Sequence, residues 1–227
     1  MTRINLTAIA YLVFAATTAV VASRFEASAS QRSGGGAARP DASVSIESGH
    51  VVGSADAPAV LVVFADFNCQ YCARFATTDL PTLNETYVRS GRLQIAFMHN
   101  PLPRLRQHSL AAAEIAECAA EQGLFWPVHD AYFSKQNALD ERRVWDIAAA
   151  TGARLDGHDG VRECVASGRA LVRVADHAAI AHRFRVLSTP AFLVGARDAT
   201  GRIRVVGQLS GGEALPGIQA LVRKISG

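Results

Sequence analysis

The sequence is short of lysine: among 23 basic residues only Lys135 and Lys224 are lysines, arginine supplying the rest. This reads as codon bias, and nothing is built on it. The chain also lacks a strong charge imbalance, its 20 acidic residues being interspersed with the basic ones for a net charge of +3. No basic stripe marks a phosphate-backbone footprint, so no nucleic-acid partner is expected. There is no internal repeat. There are only four cysteines in 227 residues and no second CxxC. About 180 residues remain from Gly49 onward, enough to bury roughly 70% of the unfolded surface in a single core. A small scaffold held together by disulfides is therefore excluded.

The amino terminus has Arg3 and then no charge from Ile4 through Ser23. Twenty such residues are long enough for a membrane-spanning helix and also have the charged start and apolar centre of a secretory signal. Residues 1–27 are read as a signal anchor or signal peptide, the uncleaved anchor preferred because Arg24 and Glu26 separate the apolar run from the Ala27-Ser28-Ala29 cleavage pattern. Residues 28–48 are read as a flexible linker, small and glycine-rich over SASQRSGGGAARPDAS. The domain is expected over 49–227, outside the cytoplasm in periplasm or at the cell surface, tethered to the membrane by the N-terminal segment.

Within the domain, Val60 to Phe64 is a continuous β-branched apolar run, the pattern of a central strand covered on both faces. A helical segment follows from Cys69 to Ser90, with a kink or break expected at Pro81, and Leu93 to Phe97 gives a second strand. From about 107 to 185 the pattern is helical, punctuated at Gly123, at a capping Asp140 and Gly152, and near Ser167-Gly168. AFLV and RIRVVG then read as strands, and ALPGIQALVRKI as a closing helix. The expected class is α/β, βαβ then ββα, with a helical insertion.

The chemistry centres on Cys69-Gln70-Tyr71-Cys72, at the turn between the first strand and the helix. Positions i and i+3 at a helix start can close a disulfide. With Cys69 exposed at the helix N-terminus, free N–H groups favour its thiolate; Cys72, one turn in, would be buried and resolve a mixed disulfide. A zinc clip wants four ligands, and only isolated Cys118, Cys164 and scattered histidines are at hand. A purely structural bond across so short a loop brings little chain-entropy benefit. Free buried thiols are the remaining alternative to exchange chemistry.

APAVLVVFADFNCQYCARF, the stretch from Ala116 to Phe133 and STPAFLV from Ser188 to Val194 together resemble the DsbA-like thioredoxin-fold thiol–disulfide oxidoreductases of bacteria. The resemblance runs from about His50 to the end. It implies a thioredoxin fold interrupted by a helical subdomain, with the CxxC facing a cis-proline loop at Thr189-Pro190. Cys69 and Cys72 would be catalytic, and Gln70, Tyr71, Thr189 and Pro190 would meet the substrate backbone. No cofactor and no metal is implied, because the cysteine pair carries the electrons. The implied partners are cysteine-containing exported proteins and a membrane redox protein, quinone-linked for an oxidase, that resets the pair; a monomer is expected.

The chain departs from its relatives in two places. Many carry a histidine between the cysteines, where Gln70 and Tyr71 stand here, so a less oxidising couple than the strongest members is expected. Many also have a buried acid six residues before the first cysteine, where Val63 stands; Asp66 is the candidate proton carrier in its place, against a plainer role capping the loop. An even cysteine count in an exported protein favours a Cys118–Cys164 bond, contributing roughly 4 kcal/mol by chain entropy. His108, His129, His177 and His182 are read as packing or surface residues. Phe125, Trp126, Tyr132 and Phe133 are read as a core face.

Overall fold

The computed structural model describes residues 42–102 and 108–227. All lie in the compact unit Ala37–Gly227. The expected anchor or signal and residues 28–41 of the expected linker lie outside the described residues.

The apolar run forms the centre of a six-stranded mixed sheet. Taking the strands in chain order, β1 is Ser43–Val44, β2 His50–Val52, β3 Ala59–Ala65, β4 Leu93–His99, β5 Ala191–Arg197 and β6 Ile203–Ser210. Their spatial order is β1-β6-β5-β3-β4-β2, with β3 parallel to β4 and every other neighbouring pair antiparallel. All seven residues of β3 are buried, as the β-branched run requires. Leu61, Val63 and Ala65 enter one core with Ile95 and Phe97; Val60, Val62 and Phe64 enter a second with Ala96 and Met98. Each Val, Leu, Ile, Phe or Met side chain among them, fully removed from water, contributes roughly 1.5–3 kcal/mol.

Two edge strands correct the sequence reading. Ser43–Val44 pairs with β6, and Val44 and Ile46 are buried, so the folded chain already includes residues 43–48 that composition assigned to the linker. His50–Val52 pairs with β4. Strands of two and three residues are too short to carry an alternation, and only the neighbouring strand organises them.

The helix after the cysteine pair is not broken at Pro81. It begins as α1, Gln70–Arg74, widens into a π-turn over Phe75–Asp79, resumes as α2, Leu80–Leu83, and widens again over Asn84–Val88. Pro81 sits in the first turn of α2, where its missing N–H is least costly, and the wider turn before it is closed by Leu80 N–H on the Phe75 carbonyl.

The helical insertion comprises α3, Ser109–Ala120, α4, Phe125–Ser134, α5, Arg143–Ala150, α6, Val161–Ala166, and α7, Arg169–Arg183. Its punctuation is as read: Gly123 and Gly168 adopt φ of +74° at the breaks, and Asp140 Oδ1 accepts the N–H groups of Arg142 and Arg143 at 3.0 and 2.7 Å. The chain ends with α8, Leu215–Ser226, whose proline again lies in the first turn. Between β5 and β6 the register shifts at Val194/Gly195, where a side chain would collide with the Arg204 carbonyl; glycine is required by that close approach.

Candidate active site

β3 ends at Ala65, and the four residues that follow turn the chain into α1. Asp66 fixes this turn: its Oδ1 accepts Asn68 N–H at 2.8 Å, its Oδ2 accepts Leu102 N–H at 3.0 Å and the Ser109 hydroxyl at 2.9 Å, and its carbonyl accepts Cys69 N–H at 3.0 Å. The carboxylate is thus spent on backbone and hydroxyl donors that join the turn to the start of α3, the loop-capping role.

Cys69 is the N-cap of α1 and Cys72 lies one turn inside it. Both sulfurs are free thiols. Across from them, Thr189-Pro190 is a cis peptide, and Cys69 Sγ lies 3.2 Å from the Thr189 carbonyl oxygen. The expectation of an exposed Cys69 is corrected: the residue is only 2% exposed. The contact with Thr189 is one that local sequence cannot reveal, since 120 positions separate the two residues.

The electrostatics separate the sulfurs. The Cys69 thiol is lowered from 9.0 to about 6, first by the hydrogen bond from Cys72, with Thr189 and the amides of Cys72 and Tyr71 adding to it against the cost of burial. Cys72 moves the other way, well above 9.0, because burial and then the neighbouring Cys69 disfavour a second charge. At neutral pH one sulfur is a thiolate and the other a thiol that donates to it. An apolar hollow beside Cys72 is lined by Val63, Phe75, Phe97, Trp126, His129 and Phe133. Phe125, Tyr132 and Phe133 are buried as the core face requires, while Trp126 is half-buried at the edge of this hollow.

Sequence reasoning missed Gln136. Its side-chain amide donates to the carbonyls of Phe67 at 2.6 Å and Cys69 at 2.9 Å, pinning the cysteine turn to the helical insertion. A lone glutamine opening a three-residue 3-10 turn carries no signal of this. The flanks are exposed: Gln70 points outward, Tyr71 is 51% exposed and Leu187, two residues before Thr189, is 84% exposed. Tyr71 also packs against Gly212, where a Cβ would meet its ring at 3.1 Å. Cys118 and Cys164 are bonded, with Cα atoms 5.7 Å apart, tying α3 to α6. Of the histidines, His129 and His177 are buried and His182 is exposed.

A sheet of this order, a cysteine pair at the head of the helix after its central strand and a cis-proline facing that pair agree with the family match to residues 45–205, to the family described as Thioredoxin. The chain belongs to this thioredoxin family. Its fold is that of the DsbA-like structures. It matches alpha-DsbA1 T172V of Wolbachia pipientis with a TM-score of 0.67 and 19% identity, covering 81% of this chain and 93% of that one. It matches oxidised BdbD of Bacillus subtilis with a TM-score of 0.67 and 19% identity, covering 81% and 96%. The catalytic domain of Proteus mirabilis ScsC gives a TM-score of 0.60 at 21% identity, covering 78% and 88%. Among curated relatives, a Na(+)/H(+) antiporter NhaA 3 of Salinispora tropica is 36% identical over 153 residues, which are 67% of this chain and 22% of that protein. A NhaA 1 of Mycolicibacterium vanbaalenii is 34% identical over 164 residues, 69% and 26%. The chain therefore spans about a quarter of the length of these relatives. No helix among the described residues is long and apolar enough to cross a membrane.

Proposed function

We propose that this chain is an extracytoplasmic protein thiol–disulfide oxidoreductase that introduces disulfides into exported proteins through Cys69 and Cys72. The observation that carries the reading is the split of the two sulfurs across from the cis-proline loop, Cys69 lowered to about 6 first by the hydrogen bond from Cys72 and Cys72 held as a thiol behind it. In the oxidised protein a substrate thiolate attacks Cys69 Sγ, the Cys69–Cys72 bond breaks, and Cys72 leaves and takes up a proton. A second substrate thiolate then attacks the substrate sulfur of the mixed disulfide and expels Cys69. The substrate gives up two electrons and two protons, and the pair receives the electrons. A thiolate that is stable near neutral pH is a good leaving group, which favours this last step.

Thr189 and Pro190 supply backbone for an extended substrate segment, with Gln70, Tyr71 and Leu187 as the outward surface beside it. Because Cys69 is covered, an incoming sulfur must displace part of the Thr189 side of the site before it can attack. The Cys118–Cys164 bond fits an oxidising compartment. The charge-free run near the amino terminus supports export with a membrane tether, and a membrane redox protein would re-oxidise the pair. With Gln70 and Tyr71 between the cysteines, the couple is less oxidising than one with a histidine there.

Cys69→Ser should abolish both oxidative refolding of a reduced model protein and insulin reduction; undiminished activity would favour a binding module on the same fold. The reduction potential of the pair decides direction, since a strongly negative value would make it a reductase.

A further inference from the structure

Away from the cysteine pair, on the same face of the sheet, three elements bring metal-ligating side chains together. Among the described residues, His50 on β2, His99 at the end of β4 and Glu117 on α3 have one ligand atom each within 4.8 Å of the others. Glu117 and His99 are each 1% exposed. Glu117 Oε1 lies 2.9 Å from His50 Nε2 and 3.1 Å from His99 Nε2. The first contact is an aligned hydrogen bond, but the second is not, and His99 Nε2 has no hydrogen-bond partner despite complete burial. The nitrogen lies close to the carboxylate yet makes no aligned hydrogen bond to it, a costly arrangement for a buried polar atom in a network held by hydrogen bonds alone. Two imidazole nitrogens gathered on one carboxylate oxygen, one of them without an aligned hydrogen bond, have the composition of a ligand set rather than of a finished hydrogen-bond network.

The surroundings hold the three groups in place. The His50 ring stacks on Phe125 with centroids 3.5 Å apart. Glu117 Oε2 is taken by Arg173 Nε at 3.1 Å, leaving Oε1 for the site. His177 donates from Nε2 to the Ser48 carbonyl at 2.7 Å, and its Nδ1, 3.7 Å from Glu117 Oε1, is occupied by the His99 N–H it accepts, so it braces the site rather than ligating. The His50 side chain is 16% exposed, which opens the cluster to solvent on one side.

We propose that His50, His99 and Glu117 bind a single zinc-type divalent ion, with water in the fourth position on the His50 side. Two imidazoles and one carboxylate are borderline donors suited to zinc, whereas calcium and magnesium would want six or more oxygens. Tetrahedral zinc with ligand bonds of about 2.0–2.1 Å separates its ligand atoms by about 3.3 Å, a few tenths of an ångström more than the two spacings from Glu117 Oε1 to the histidine nitrogens. The ion joins an edge strand, a core strand and the helix that carries Cys118, so it acts as a second staple between the sheet and the helical insertion, alongside the disulfide.

The test uses the full chain with Cys69 and Cys72 oxidised to each other, so that the pair cannot ligate, after treatment with a chelator. Calorimetric titration with zinc should show one equivalent bound. Cobalt, as a coloured substitute, should give the absorption bands of tetrahedral coordination. His50→Ala, at a half-buried edge position, and Glu117→Gln should each weaken zinc binding by at least about tenfold, with far-UV circular dichroism showing the fold retained. No zinc uptake by the unaltered chain, or uptake undiminished in a folded His50→Ala protein, overturns the assignment.

Discussion

Cys69 Sγ and the carbonyl oxygen of Thr189 face each other at 3.2 Å. That contact places an ionisable sulfur against a strip of backbone, so that a chain pairing with the strip would bring its own sulfur to the same spot. It also covers Cys69, which makes reactivity depend on both ionisation and opening.

The ionisation has a definite pH signature. A thiol with a folded value of about 6 and an ordinary value of 9.0 stabilises the reduced protein fully above pH 9 and loses that contribution as pH falls through 6. Urea unfolding of the reduced protein, with the oxidised form as reference, should show its relative stability declining between pH 9 and 6. Thiolate absorbance should titrate for one cysteine near 6 and for the other only well above 9. Two coincident titrations near 9 would contradict the site as described.

Gln136 should matter out of proportion to its position. Gln136→Ala removes both donors to the Phe67 and Cys69 carbonyls, each net hydrogen bond contributing about 0.5–1.5 kcal/mol. The expected outcome is a loss of about 1–3 kcal/mol in denaturant unfolding, together with faster alkylation of Cys69 because its turn is no longer pinned. Unchanged alkylation would mean that the turn is held without it.

The bond between Cys118 and Cys164 closes a loop of 46 positions. Replacing both with alanine should cost roughly 4 kcal/mol on the chain-entropy estimate and lower the thermal midpoint. Insulin reduction at a temperature where the variant remains folded should persist, because neither sulfur touches the Cys69–Cys72 pair. Loss of activity in the folded variant would show that the bond does more than brace α3 and α6.

Leu187 stands 84% exposed beside the proline loop. Leu187→Asp should leave stability within about 0.5 kcal/mol, as exposed substitutions do, while lowering kcat/KM for a reduced protein substrate. Oxidation of a small dithiol should be spared, since it needs no apolar platform. Equal effects on both substrates would remove Leu187 from the docking surface.

The sequence made the central strand legible because the unbroken apolar, β-branched run from Val60 to Phe64 needs no context, and the structure buries it within the seven residues of β3. Helix ends were legible wherever glycine or a capping aspartate marks them, as at Gly123, Gly168 and Asp140. The edge strands were not, nor was the passage of the helix through Pro81, where π-turns absorb a residue that ordinarily interrupts. The role of Asp66 became clear only when Leu102 and Ser109, which its carboxylate holds, were in place.

By itself the sequence determined the chemistry on offer: two sulfurs one helical turn apart at the end of a buried strand, and a proline ahead of another. Spacing along a chain is a local property, and strand and helix geometry convert it directly into distance. Only the tertiary structure decided what meets those sulfurs, which glutamine pins their turn, and that His50, His99 and Glu117 converge. Those contacts join residues tens of positions apart, and they exist only once the core has closed around them.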